Sequence, residues 1–121
     1  MGKAARAIRR KDITALARQT WSRVWPEPMP SGWRVHLVRK TVIQKVYGRE
    51  VCGVILKRGR TILIGRNTGR HSFRTLVHEL AHLRTLDEES DHGPRWEHEF
   101  NAVARPALGA ELEQNINCEN N

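Results

Sequence analysis

Two histidines and a glutamate stand together in His78-Glu79-Leu80-Ala81-His82. Four residues apart on a helix, two imidazoles share one face and can grip a single metal ion. Glu79 lies beside them where a general base would hold water at that metal, which is the chemistry of a zinc hydrolase. Such a site needs a third protein ligand, so the downstream sequence decides how far the pattern extends. There, Asp91-His92-Gly93-Pro94-Arg95-Trp96 is followed by Glu97-His98-Glu99-Phe100. Gly93 permits a tight turn and Pro94 suits the first position of a new helix, which puts His92 at a junction from which it can swing back to the metal. His98 is the rival ligand. Glu88, Glu89 and Asp91 offer carboxylates, although an acidic run of this kind reads first as a solvated loop.

His78-Glu79-Leu80-Ala81-His82, a nine-residue spacer and His92-Gly93-Pro94-Arg95-Trp96 together resemble the SprT-like family of zinc metallopeptidases, which includes the Spartan proteases. Those enzymes carry HExxH followed by a third histidine in an HGxxF or HGxxW motif. The similarity covers roughly Trp21 to Arg105, with its diagnostic residues between His78 and Trp96. The resemblance implies Zn2+ held by His78, His82 and His92, Glu79 as catalytic base, a protein substrate and a compact zincin-like domain. Some members also carry a histidine two residues after the aromatic, as His98 stands here. Many append a cysteine-rich zinc ribbon, for which Cys52 and Cys118 are too few. Tyr47, Arg95 and His98 are the visible candidates for a second donor to the developing oxyanion. In zincin-type peptidases a sheet edge beside the metal helix takes an extended substrate, and Thr61 to Ile64 is the candidate strand.

The metal pair needs a helix with a buried face. Phe73, Leu76, Val77, Leu80, Leu83 and Leu86 recur at helical spacing without Pro or Gly among them, and Ser72 precedes them as an N-cap. Trp96, Phe100 and Val103 predict a second helix packed on the first, with the third ligand at its start. Nearer the N-terminus, Asp12 caps a stripe of Ile13, Leu16, Ala17, Thr20 and Val24 that stops at Pro26. The Pro-rich stretch 26–32 reads as a loop. Trp33 to Val38 alternates as a half-buried strand, and Val51 to Leu56 with Thr61 to Ile64 reads as a hairpin. Val42 to Tyr47 fits either a strand or an ordered loop, and Asn67-Thr68-Gly69-Arg70 reads as a turn. The expected fold is α+β: an N-terminal helix, then about three strands, with the helices on one face of the small sheet.

At 121 residues the chain is long enough for one domain, expected over 1–110 with 1–11 as a basic arm and 111–121 as a loose polar tail. No apolar run approaches the ~20 residues of a membrane span, and the first residues lack the apolar segment of a secretory signal, so a cytoplasmic setting is expected. Charge divides the chain. Residues 1–74 hold 18 Lys plus Arg against 3 Asp plus Glu, a net of +15, and residues 75–121 hold 3 against 10, a net of −7. The basic half would attract a polyanion such as DNA, or the acidic face of a partner protein. Three functions follow: a zinc peptidase acting on DNA-associated or DNA-crosslinked proteins, a zinc peptidase for a particular protein without DNA, and a non-catalytic nucleic-acid-binding domain with a structural metal. Glu79 argues against the last. Trp21, Trp25 and Trp33 read as core ahead of base-stacking platforms, His36 and His71 as structural or exposed, and Cys52 as a small buried hydrophobe.

Overall fold

Four strands form one sheet: β1 (Arg10–Asp12), β2 (Arg34–Arg39), β3 (Gly53–Leu56) and β4 (Thr61–Arg66), in the spatial order β1-β2-β4-β3. The protein is seen here in a computed structural model that describes residues 10–47, 51–66, 71–89 and 91–116. β1 and β2 are antiparallel, β2 and β4 parallel, and β3 and β4 form the expected antiparallel hairpin. β4 is therefore central, and Ile62, Leu63 and Ile64 are all at most 1% exposed, as a strand covered on both faces requires. This corrects two expectations. The sheet has four strands, because Arg10–Asp12 pairs with β2, and Thr61 to Ile64 is interior, leaving β3 as the edge. The remainder of the basic arm, residues 1–9, and the 67–70 turn lie outside the described residues.

Helix α1 (Thr14–Val24) begins where Asp12 Oδ1 accepts both the Thr14 N–H at 2.9 Å and its hydroxyl at 2.5 Å. Those bonds hold the Asp12 carboxyl below its ordinary pKa. The Thr14 hydroxyl in turn accepts the Val35 N–H at 2.9 Å, which ties the helix start to β2. Trp21, Trp25 and Trp33 are buried, and the indole N–H groups of the first two bond Glu27 and Glu99, so these rings are core. Loop 26–32 folds back on them through buried Met29.

Val42 to Tyr47, read as a strand or ordered loop, belongs to helix α2 (Lys40–Tyr47). Its β-branched residues disfavour helix weakly, but burying Ile43 against Val38, Val54 and Leu63 outweighs propensities of a few tenths of a kcal/mol. The sheet is thus covered on both faces and not on one. α1 and the metal-motif helix α3 (Ser72–Arg84) lie over Val35, Leu37, Ile62 and Ile64, and α2 covers part of the reverse.

After α3 the chain turns into α4 (Pro94–Glu97), a π-helical segment (His98–Ala104) and α5 (Arg105–Leu108). Helical φ/ψ at Glu97, His98, Ala104 and Arg105 carries the backbone through both junctions, and Trp96, Phe100, Ala104 and Leu108 are buried on one side. A 3-10 turn, Gly109–Glu113, then packs Leu112 into the same core. The polar stretch read as loose is ordered through residue 116. Asn115 Oδ1 accepts the Ser72 N–H at 2.8 Å, the Gln114 carbonyl accepts the Phe73 N–H at 3.1 Å, and the Ser72 hydroxyl accepts the Ile116 N–H. Ser72 is therefore not the N-cap of α3. The cap comes from residues more than 40 positions later, which meet two of the four N–H groups a helix start leaves open.

Candidate metal centre

α3 presents its two histidines at the boundary between core and solvent. Leu76, Val77, Leu80 and Ala81 are fully buried on one side, and His78 and His82 are half-buried beside them. The loop after α3 brings back His92. One ring nitrogen from each of the three lies within 4.8 Å of the others, and His78 Nε2 and His92 Nε2 are 3.1 Å apart. Two ligands of a tetrahedral zinc ion sit about 3.3 Å apart, given bonds of about 2.05 Å, so the donor set fits the ion in chemistry and in scale. Among the described residues no other group of this kind forms, and His98, the rival ligand, stands exposed outside it.

Trp96 is the platform of this cluster. Its ring centroid lies 4.8 Å from His78, 5.1 Å from His82 in a stacked pair and 4.4 Å from His92. Phe100 stacks on its other flank at 5.2 Å, and the indole N–H donates to the His78 carbonyl at 3.2 Å. One indole thus fixes three imidazoles and clamps the helix that carries two of them. Asp91 Oδ1 lies 3.7 Å from His82 Nδ1, beyond hydrogen-bond reach but near enough for its charge to act on the ring. Burial is the main reason His82 is held below its ordinary pKa, which keeps the imidazole neutral and able to ligate.

His92 itself has φ 56°, the left-handed region that a side chain adopts at a cost. Gly93, read as the turn residue, has an ordinary φ of −73°. Its need is space: a Cβ there would come 2.6 Å from the Glu88 carboxyl carbon. Glu88 reaches across this spot to accept the Arg95 N–H at 2.8 Å and the Trp96 N–H at 3.1 Å. The acidic loop therefore contains the cap of the helix that follows His92. Sequence reading missed this role, because a capping glutamate usually stands three residues from its partner rather than seven or eight.

Glu79 points from α3 toward β3 and is 7% exposed. Gly53 makes room for it, since a Cβ at that position would lie 3.0 Å from Glu79 Oε2 and from Thr75 Cγ2. Burial first, and then the charge of Asp91, push the Glu79 pKa up from 4.5 to about 8. In the metal-free protein this has a measurable sign. Between pH 4.5 and 8 the native state holds a proton that the unfolded chain has lost, so stability falls as pH rises through that window. Chemical denaturation of metal-free wild type beside Glu79→Gln should show the wild type losing stability relative to the variant, by on the order of 4 kcal/mol across the window. Parallel pH profiles for the two proteins would refute the burial argument.

A cleft of about 540 Å3 runs over the site, lined by His78, Glu79, His82 and His92 and walled by Cys52 to Ile55 of the β3 edge. Cys52 is half-buried in that wall. Of the expected oxyanion donors, Arg95 is exposed and bonded to Asp87 at 2.9 Å, and neither it nor His98 lines the cleft. The Tyr47 side chain lies outside the described residues. His36 is half-buried in β2 and His71 is exposed before α3, both apart from the cluster. No family model, curated protein or solved structure matches this chain.

Proposed function

We propose that the protein is a zinc metallopeptidase of zincin-like build that hydrolyses peptide bonds in proteins associated with DNA. The observation that carries this reading is the convergence of three imidazoles, with nitrogens within 4.8 Å, beside a buried carboxylate in an open cleft. A purely structural three-histidine site would gain nothing from burying an acid next to it, because burial of an ionisable group costs stability. When bound, zinc supplies a Lewis acid for the scissile carbonyl and lowers the pKa of water from 15.7 to about 7.

The chain's own residues do the rest. Glu79 takes the proton of the attacking water and returns one to the leaving amine. Burial raises the Glu79 pKa in the metal-free protein, and the charge of a zinc ion beside it would favour the carboxylate that accepts this proton. Gly53 keeps β3 close enough to confine the Glu79 carboxyl, and the edge of β3, unpaired among the described residues, offers main-chain hydrogen bonds to an extended substrate. Binding through backbone leaves any choice of substrate sequence to side chains elsewhere in the cleft. Arg10, Arg34, Arg39 and Lys40 are exposed on the β1–β2 side of the sheet, away from the β3 edge, so a polyanion held there leaves the cleft free.

Casein degradation by the purified protein tests the reading. Activity should vanish with a chelator, return with one equivalent of zinc, and rise with single-stranded DNA at low salt. Zinc-dependent cleavage indifferent to DNA would keep the peptidase and discard the DNA setting. A protein that binds DNA but neither holds zinc nor cleaves casein would leave a basic binding domain.

A further inference from the structure

We propose that Arg74 forms a carboxylate-binding subsite of the cleft and directs cleavage to peptides that present a carboxylate on the Arg74 side of the metal centre, an inference that rests on the peptidase reading. Arg74, His78 and His82 stand at i, i+4 and i+8 and so share one stripe of α3. All three line the cleft, and Arg74 stands about one helical turn before His78 on α3. A substrate reaching the reacting centre therefore passes within reach of the guanidinium.

Among the described residues the guanidinium has no carboxylate partner. Arg74 is half-buried, its Nε is shielded from solvent, and no hydrogen bond reaches that atom. Arg84, at the other end of the same helix, is by contrast held by Glu27 and Glu99. Arginine keeps its charge under all ordinary conditions, and a partly desolvated charge without a counter-ion is less stable than a paired one. Its planar fork matches a carboxylate through two parallel hydrogen bonds. Arg74 also lies in the first turn of α3, where the helix dipole adds to the attraction for an anion.

The cleft's own acids do not fill this role. Glu88 caps α4, Asp91 faces His82, and Glu89 stands with them beyond the C-terminal end of α3. Arg74 and Lys57 are the cations of the lining, and the three carboxylates cluster past the far end of α3 from Arg74, which makes the cleft polar along that helix. That polarity selects among anions. A nucleic-acid strand lying along the cleft would bring phosphates against Glu88, Glu89 and Asp91, whereas a peptide with one carboxylate at the Arg74 end meets attraction there and no repulsion elsewhere.

The test is cleavage-site profiling of a peptide library by mass spectrometry, with zinc-loaded wild type, Arg74→Gln and Arg74→Glu, each first shown to hold one equivalent of zinc. Wild type should enrich Asp and Glu at one position relative to the cut, or cut at a fixed distance from a free C-terminus. Amidated peptides separate these two sources of carboxylate. Across a matched pair of peptides with a carboxylate or its amide at that position, the kcat/KM ratio should fall from ~10–100 in wild type to about 1 in Arg74→Gln. Arg74→Glu should favour Lys or Arg at the same position. Cleavage by wild type without acidic preference, or a preference that survives Arg74→Gln, overturns the subsite and leaves the peptidase standing. Loss of oligonucleotide binding in Arg74→Gln with an unchanged peptide profile also overturns it, in favour of a phosphate contact. A wild type that holds zinc and cuts nothing in the library removes the peptidase reading and the subsite with it.

Discussion

Glu79→Gln should abolish peptide hydrolysis, with a loss of about 10²–10⁴-fold in kcat, and should leave one equivalent of zinc in place. The substitution keeps the shape of a side chain that is 7% exposed and confined between α3 and Gly53, so the helix and its two imidazoles have no reason to move. It removes the one atom able to accept the water's proton. The zinc content and the rate therefore separate: a structural role for Glu79 would lower both, and a catalytic role lowers only the second. Metal analysis and casein cleavage on the same preparation decide between them. A Gln variant that retains wild-type activity would sink the assignment of the base.

His92→Ala is the second large effect, and it falls on the metal. Two imidazoles on α3 would remain, but the third side of the site would be lost, and zinc affinity should drop by at least ~10²-fold, beyond the 10–100-fold range of outer-shell changes. Glu88→Ala supplies that smaller effect for comparison. It touches no metal-facing nitrogen, yet its carboxylate holds the two amides that start α4, and with them the left-handed turn at His92. Competition with a chromophoric chelator should rank wild type above Glu88→Ala and Glu88→Ala above His92→Ala. Equal affinities for wild type and His92→Ala would move the third ligand elsewhere.

The parts of this protein that the sequence revealed are those whose information is local. α3 is legible because its apolar residues keep a 3.6-residue period without interruption, and the histidine pair lies on the same helix. α4 is legible from Pro94 and the Trp96–Phe100 spacing. What was not legible depends on distant residues. β1 is three residues, Arg-Lys-Asp, with no apolar alternation, and exists only because β2 offers it a partner. α2 carries a strand-like composition that burial of Ile43 overrides. The parallel pairing of β2 with β4 moves the edge of the sheet from Thr61–Arg66 to Gly53–Leu56, and nothing within either segment announces it. At the site, His78, His82 and His92 bring ring nitrogens within 4.8 Å of one another, whereas Glu88 and Gly53 act through contacts that cross loops. Arg74 had a readable signal, its place four residues before His78.

The cap of α3 by Ser72's distant partners has a consequence for how the protein is made. Asn115 and Ile116 emerge from a ribosome 43 and 44 residues after Ser72, a delay of roughly 2–9 s at 5–20 residues per second. During that interval the first turn of α3 has neither its borrowed acceptors nor Leu112 beneath it, and His92 itself is made only 20 residues after Ser72. The start of the helix that carries His78 and His82 is thus completed only after the chain has been made through residue 116.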